Sequence, residues 1–277
     1  MAPLWQAFEM SNQMLLCNLL FDSRERDLKL HSVACHERLF MDLVTRVLKP
    51  DYFLEIGAHE ADTALRIARK LPECTSVGFE ADPGVHKHFC EEFEQQGVPE
   101  NFHYRHMAVT DKVGDVEFFM QPKEDPEFLF ANNSLKTKPG QEYESIRVEA
   151  ATIDSLYKPK SEETAVLKLD VEGHHYEVLE GATDFLDNTQ AIYAEVEDYK
   201  IWEGQKTVFE VYDLLDGAGF VPVTRDVETP GQYNVMFLKK DIAFDRRFRG
   251  RIALYFKELS LLNELAGRNV AIYNRPV

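Results

Sequence analysis

Cysteine is scarce in this 277-residue chain: Cys17, Cys35, Cys74 and Cys90 all fall in the first third, with no Cys-x-x-Cys pair. That spacing excludes a disulfide framework and a thiolate zinc site, and it suits a reducing compartment. Also missing is any stretch near the roughly 20 apolar residues that a membrane-spanning helix needs. The short apolar run from Met14 to Phe21 is broken by Asn18, with no basic segment before it and no small-residue cleavage site after it. No signal peptide is expected, and the chain reads as cytoplasmic. Positive charge is in deficit, with 31 Lys and Arg against 48 Asp and Glu, a net of −17 at pH 7. Such a field repels phosphate backbones and anionic lipid surfaces, so neither nucleic acid nor membrane is an expected partner. Internal repeats, low-complexity tracts and long linkers are absent too.

What the chain does have is alternation. Residues 1–50 read as a helical extension, with Leu15, Leu19, Leu39, Leu43 and Val47 at helical spacings. Tyr52 to Ile56 is then a short apolar run of the kind that forms a strand buried on both faces of a parallel sheet. A helix with Ala64, Leu65, Ala68 and Leu71 on one face follows, then a strand from Ser76 to Glu80. Asp82-Pro83 supplies an N-cap and a proline at the first helical position, ahead of Val85, Phe89 and Phe93. Further strands are expected at about 102–109, 116–120, 145–150, 165–170, 191–196, 220–224 and 234–238, with helices after 175 and 207. This order predicts a Rossmann-like, doubly wound α/β fold with a mostly parallel sheet. Residues 51–240 form its body and 241–277 an extension packed on the same domain. From Lys239 to Arg251 six basic residues stand against two acidic ones. That run reads as a solvated face, or as a contact for an acidic partner or a second subunit, which leaves a homo-oligomer open.

In such a sheet ligands settle at the carboxyl ends of the strands, where the strand order reverses. Glu55-Ile56-Gly57-Ala58-His59-Glu60-Ala61 spans that junction. Gly57 would let the backbone pass close to a cofactor, and Glu55 would face the same crevice. Glu80, at the end of the second strand, is placed to accept two hydrogen bonds from a ribose diol. A dinucleotide loop reads Gly-x-Gly-x-x-Gly. Here His59 stands two residues after Gly57, Ala61 replaces the next candidate glycine, and Glu60 and Asp62 put negative charge where a pyrophosphate would lie. The pattern favours S-adenosylmethionine, a cofactor without phosphates, over NAD.

The third signal is Lys168-Leu169-Asp170-Val171-Glu172-Gly173-His174-His175, continued by Glu177-Val178-Leu179-Glu180-Gly181-Ala182. Together with Phe79-Glu80-Ala81-Asp82-Pro83, Ala108-Val109-Thr110-Asp111 and Asn133-Ser134-Leu135, it resembles the FkbM family of methyltransferases over roughly residues 51–240. Family members often carry Gly-Ala-Asn and a second glycine in the first loop, where this chain has His59 and Ala61. The resemblance implies S-adenosylmethionine contacts from Glu55, Gly57, Ala58, His59, Glu80, Ala81, Ala108 and Asp170. It also implies O-methylation of a hydroxyl on a small-molecule or glycan acceptor such as a sugar, glycolipid or polyketide-like metabolite.

For the chemistry, Asp170 is expected to border the methionine part of the cofactor, while Glu172, His174 and Glu197 face the acceptor. Glu195 is a further candidate base, and Asn133 and Ser134 are candidate substrate contacts. Each has a plainer reading: Asp170 satisfying backbone amides, Glu172 at a helix N-terminus, Asn133 and Ser134 in an ordinary turn. One of His174 and His175 is expected at the surface, because adjacent helical positions point apart. A metal held by Asp170, Glu172 and His174 is conceivable, but alternate residues at a strand end diverge, so none is assigned. N-methylation, an NAD-dependent oxidoreductase and a non-catalytic nucleoside-binding protein are the competing readings.

Overall fold

The computed structural model describes residues 26–122, 133–226, 231–243 and 245–265. Leu15 and Leu19, expected on a helix, lie outside them. The chain enters through α1 (Arg26–Leu43), extended by a π-helical turn, Val44–Leu48. It then alternates through β1 (Tyr52–Ile56), α2 (Asp62–Lys70), β2 (Thr75–Glu80), α3 (Pro83–Gln96) and β3 (Phe102–His106). Next come β4 (Ala108–Val109), β5 (Gly114–Met120), β6 (Glu144–Ala151), α4 (Ile153–Leu156) and β7 (Ala165–Leu169). After α5 (His175–Glu180), α6 (Phe185–Asn188) and β8 (Thr189–Glu197), the chain runs through α7 (Val208–Gly217), β9 (Phe220–Arg225) and β10 (Gln232–Lys239). It closes with α8 (Lys240–Ala243) and α9 (Arg246–Leu265).

Seven strands form one sheet in the order β3-β2-β1-β7-β8-β10-β9. The first five are parallel, and β10 lies antiparallel between β8 and β9. The chain winds outward from β1 through β2 and β3, then returns to β7 and winds the other way. The strand order therefore reverses between β1 and β7, and their carboxyl ends open a crevice. This is the doubly wound, mostly parallel sheet that the alternation predicts. Its central strands are buried throughout because helices cover both faces. On one side α1, α2 and α9 pack over Phe53, Val166, Tyr193, Val221 and Met236. On the other, α5, α6 and α7 pack over Leu54, Leu167, Ile192 and Val235.

The expected single strand at 102–109 is divided. Phe102–His106 pairs with β2 in the main sheet, whereas Ala108–Val109 pairs with β6 in a three-stranded second sheet ordered β4-β6-β5. Met107 is the crossing point, and its amide donates to the Glu80 carbonyl. The second sheet thus hangs from the carboxyl edge of the first and walls the crevice. Much of the basic run near the end meets charges of the same chain: Lys240 pairs with Asp216 at 2.7 Å, Arg247 with Asp245 at 2.6 Å and Arg251 with Asp42 at 2.9 Å. Among the described residues no helix is long and apolar enough to cross a membrane.

Candidate active site

A cavity of about 370 Å³ opens at the carboxyl ends of β1, β2 and β7, within the range of about 300–1,000 Å³ common for ligand sites. Ile56, Phe79, Val85, Met107, Val109, Phe118 and Leu135 give it an apolar wall. Its charged lining is one-sided: Glu80, Asp82, Asp170 and Glu172, with no Lys or Arg among the described lining residues.

Glu80 is held rigidly. One carboxylate oxygen accepts the Asp82 amide at 2.7 Å and the other the His59 amide at 2.9 Å. Each oxygen has a second lone pair, so the group can still accept two hydrogen bonds from the cavity. Burial pushes its carboxyl up to about 7. Ala81 and Ala108 line the cavity beside it, as does His59, whose ring packs 5.3 Å from that of Phe89. His59 and Ala61 adopt left-handed backbone conformations, φ +47° and +48°. These are the two positions where the FkbM pattern has other residues, including a glycine suited to that geometry.

The first loop departs from expectation in three ways. Glu55 does not face the crevice. Strand alternation turns it to the face covered by α2, where it accepts the Ala64 amide at 2.8 Å and pairs with Lys168, its cross-strand neighbour, at 2.7 Å. Gly57 lines the cavity, but what requires glycine is packing: at φ +73° an added Cβ would fall 1.8 Å from the Asp170 carbonyl oxygen. Ala58 is buried, and its amide, like that of Gly57, is spent on the Phe79 carbonyl.

At the end of β7, Asp170 is exposed and Glu172 half-buried, and both line the cavity. Glu172 sits at φ +48°, a conformation that costs an L-residue roughly 1–2 kcal/mol. Its carbonyl is held by the Ser134 hydroxyl at 2.8 Å. Asn133 donates to Asp82 at 2.7 Å and accepts the Gln121 amide at 3.0 Å. Asp82 also caps α3 through the amides of Gly84 and Val85. Asn133 and Ser134 border the cavity, but these polar groups fasten its wall.

Both histidines are buried, contrary to the expected surface position for one of them. His174 is the residue before α5 rather than a member of it, so helical spacing does not separate the pair. Thr110 donates its hydroxyl proton to Asp111 at 2.8 Å and so accepts from His174 Nε2 at 2.8 Å. This leaves Nδ1 as the basic nitrogen, yet it is buried and lies 3.7 Å from Glu177. Burial lowers His174 to about 4 and His175 to about 3. His174 therefore borders the cavity without offering it a free base. Glu197 does not line the cavity: it is 1% exposed, bonded to Gln205 at 2.6 Å, and pushed up to about 8 by burial and then by the charges of Glu172 and Asp170. Lys136, which the sequence reading passed over, holds Glu177 at 2.7 Å behind His174.

These four groups set a pH profile for stability. Glu80 and Glu197 titrate above the ordinary 4.5 in the folded chain, so the stability they lend is present at low pH and lost as pH rises toward 8. His174 and His175 titrate below the ordinary 6.5, so their contribution is present above that value and lost as pH falls toward 3. The two effects cancel between about 4.5 and 6.5. Melting temperature should be nearly flat there and fall on both sides, and Glu197→Gln should shrink the alkaline fall. An unchanged profile in that variant would refute the assignment to Glu197.

Residues 55–222, more than half of the chain, match the model of the methyltransferase FkbM domain. The chain belongs to the FkbM methyltransferase family. The chain is also similar to the 2-O-methyltransferase NoeI of Sinorhizobium fredii (strain NBRC 101917 / NGR234), 25% identical over 189 residues that cover 64% of this chain and 76% of NoeI. Among solved structures, magnesium protoporphyrin IX methyltransferase (ChlM) from Synechocystis PCC 6803 with bound SAM shares 9% identity at a TM-score of 0.44, covering 86% of this chain and 96% of that one. The N-terminal domain of EvdMO1 with SAH bound shares 12% identity at 0.42, covering 80% and 82%. Both structural likenesses are distant; family membership rests on the domain match. This FkbM methyltransferase is an enzyme whose cavity lies where the strand order reverses.

Proposed function

We propose that the chain transfers a methyl group from S-adenosylmethionine to a hydroxyl of a small-molecule or glycan acceptor. The observation that carries this reading is the cavity's lining: an apolar wall, a doubly anchored Glu80, and four carboxylates with no Lys or Arg among the described lining residues. A pyrophosphate would meet four carboxylates and no Lys or Arg of the described lining, whereas a ribose diol and a positively charged sulfonium and ammonium fit it. Glu80 would hold the ribose, Ala81, Met107 and Ala108 would flank the base, and His59, Gly57 and Asp170 would meet the amino-acid end. O-methylation of a sugar-like acceptor is supported by the similarity to a 2-O-methyltransferase.

Bound S-adenosylmethionine supplies an electrophilic methyl group on a sulfonium. The protein's part is to align the acceptor and receive its proton. Asp170 and Glu172 form the cavity's polar edge, where the acceptor O–H would donate its hydrogen bond. The hydroxyl oxygen forms the new C–O bond as the C–S bond breaks with its electron pair on sulfur, and the proton passes to that carboxylate edge. Alignment of this kind is worth roughly 7–11 kcal/mol of barrier, and a positioned base about 10²–10⁴ in rate.

Glu172→Gln should therefore lower acceptor-dependent release of S-adenosylhomocysteine by about 10²–10⁴ while leaving cofactor affinity intact. His174→Ala should cost less, because its basic nitrogen faces Glu177. Full turnover in Glu172→Gln across a panel of hydroxylated acceptors would overturn the assignment.

A further inference from the structure

We propose that Gln205 is a positioning residue for Glu172, acting through the Trp202 ring to lock the turn that carries this carboxylate to the cavity. His174 closes the turn by donating its amide to the Val171 carbonyl at 3.2 Å. Both residues between are left-handed, Glu172 at φ +48° and Gly173 at φ +81°. Glycine takes such a place freely, whereas glutamate takes it only against strain, and strain of this kind persists where the surroundings over-determine it. One restraint is the Ser134 hydroxyl, which grips the Glu172 carbonyl at 2.8 Å.

Trp202 supplies a second restraint, on Gly173. Its ring packs there so closely that a Cβ on Gly173 would fall 2.3 Å from the ring's Cδ1 and 2.7 Å from its Cγ. The indole is buried in close-packed surroundings, so it cannot swing aside. Residues 198–207 join β8 to α7, and an irregular connection holds a ring in place only if its own backbone is fixed. Gln205, fully buried, fixes it. Its oxygen accepts the Ile201 amide at 2.7 Å and the Trp202 amide at 3.0 Å, and its nitrogen donates to Glu197 at 2.6 Å. Because Glu197 ends β8, the connection is tied to the main sheet. A further tie runs to the segment that follows Ser134. The Glu203 amide donates to the Thr137 carbonyl at 2.8 Å, the Thr137 hydroxyl donates to the Glu203 carboxylate at 2.9 Å, and the Lys138 ammonium stands 4.2 Å from the Trp202 ring centre. Buried Glu197, which does not line the cavity, thus anchors the group that keeps Glu172 in place.

The link to chemistry rests on the proposed methyl transfer, in which the edge formed by Asp170 and Glu172 receives the acceptor's proton; the lock on the turn does not. The test therefore begins without cofactor or acceptor, with amide hydrogen exchange of the full chain read residue by residue by NMR. Gln205→Ala should speed exchange at His174 at least about tenfold, while the amides of β1 and β7 stay within about threefold of wild type. In a Glu172→Asn background, where the residue takes the left-handed conformation readily, the same substitution should speed it by less than about threefold, since little strain is left to hold. A merely structural role of Gln205 gives the same factor in both backgrounds. Gln205→Met, which keeps the volume without the hydrogen bonds, repeats the test if Gln205→Ala folds poorly. Turnover is the second readout. Over a panel of hydroxylated acceptors, release of S-adenosylhomocysteine should fall about tenfold or more in kcat, with KM for S-adenosylmethionine within about twofold of wild type. Unchanged exchange at His174, an equal rise across β1 and β7, or equal factors in the two backgrounds would overturn the lock, and an unchanged kcat would overturn the positioning of Glu172. Calorimetry of the wild type with S-adenosylmethionine, run separately, keeps a failure of the cofactor reading distinct from a failure of this one.

Discussion

Gly57→Ala is expected to destabilise the chain by about 4 kcal/mol or more, lowering Tm on the order of 10 °C. The cause is local and double. At φ +73° any L-residue is strained, and the new methyl would stand 1.8 Å from the Asp170 carbonyl oxygen, a backbone atom fixed in the central strand's exit. The two terms can be separated with Gly204, which has nearly the same φ, +71°, and open space where its Cβ would be. Gly204→Ala should cost only the conformational strain, roughly 1–3 kcal/mol. Thermal melts of the two variants give the collision by difference. Equal losses would mean that the crossing of β1 and β7 relaxes more freely than its geometry implies.

The second large effect is on cofactor affinity. Glu80→Ala should weaken S-adenosylmethionine binding at least about 100-fold, because two charge-assisted hydrogen bonds of roughly 1.5–3 kcal/mol each are lost. The same change strands the amides of His59 and Asp82, so a Tm decrease accompanies it and is measured separately. Glu80→Gln, with one acceptor oxygen left, should fall between. Calorimetry with S-adenosylmethionine, S-adenosylhomocysteine and NAD on all three proteins decides the matter. Wild-type affinity in Glu80→Ala, or a preference for NAD, would remove the proposed cofactor.

Much of the architecture was legible because strands buried on both faces read as short apolar runs, as at Tyr52–Ile56 and Ala165–Leu169. The same property hid the orientation of Glu55. When both faces are apolar, alternation no longer marks which one a polar residue joins, and only the covering helix shows that Glu55 lies beneath it. The passage from β3 to β4 was invisible for a similar reason: Met107 continues the pattern while the hydrogen bonds change sheets. At the site, Glu80, Asp170 and Glu172 were found from their positions at strand ends, and these are the carboxylates that line the cavity. Thr110 and Lys136 were not, because their importance lies in contacts 64 and 41 residues away, with His174 and Glu177. Glu197 was misplaced by one strand step: its neighbour Glu195 meets Asp170 and Glu172, while Glu197 lies behind, under Gln205.

The bond between the Asn133 side chain and the Gln121 amide gives the cavity wall a fixed pair of posts. Asn133 Oδ1 accepts the Gln121 amide at 3.0 Å while its side-chain nitrogen donates at 2.7 Å to Asp82, the cap of α3. The cavity wall and the α3 cap therefore share one side chain, and a change at Asn133 is felt at Gln121 and Asp82 together.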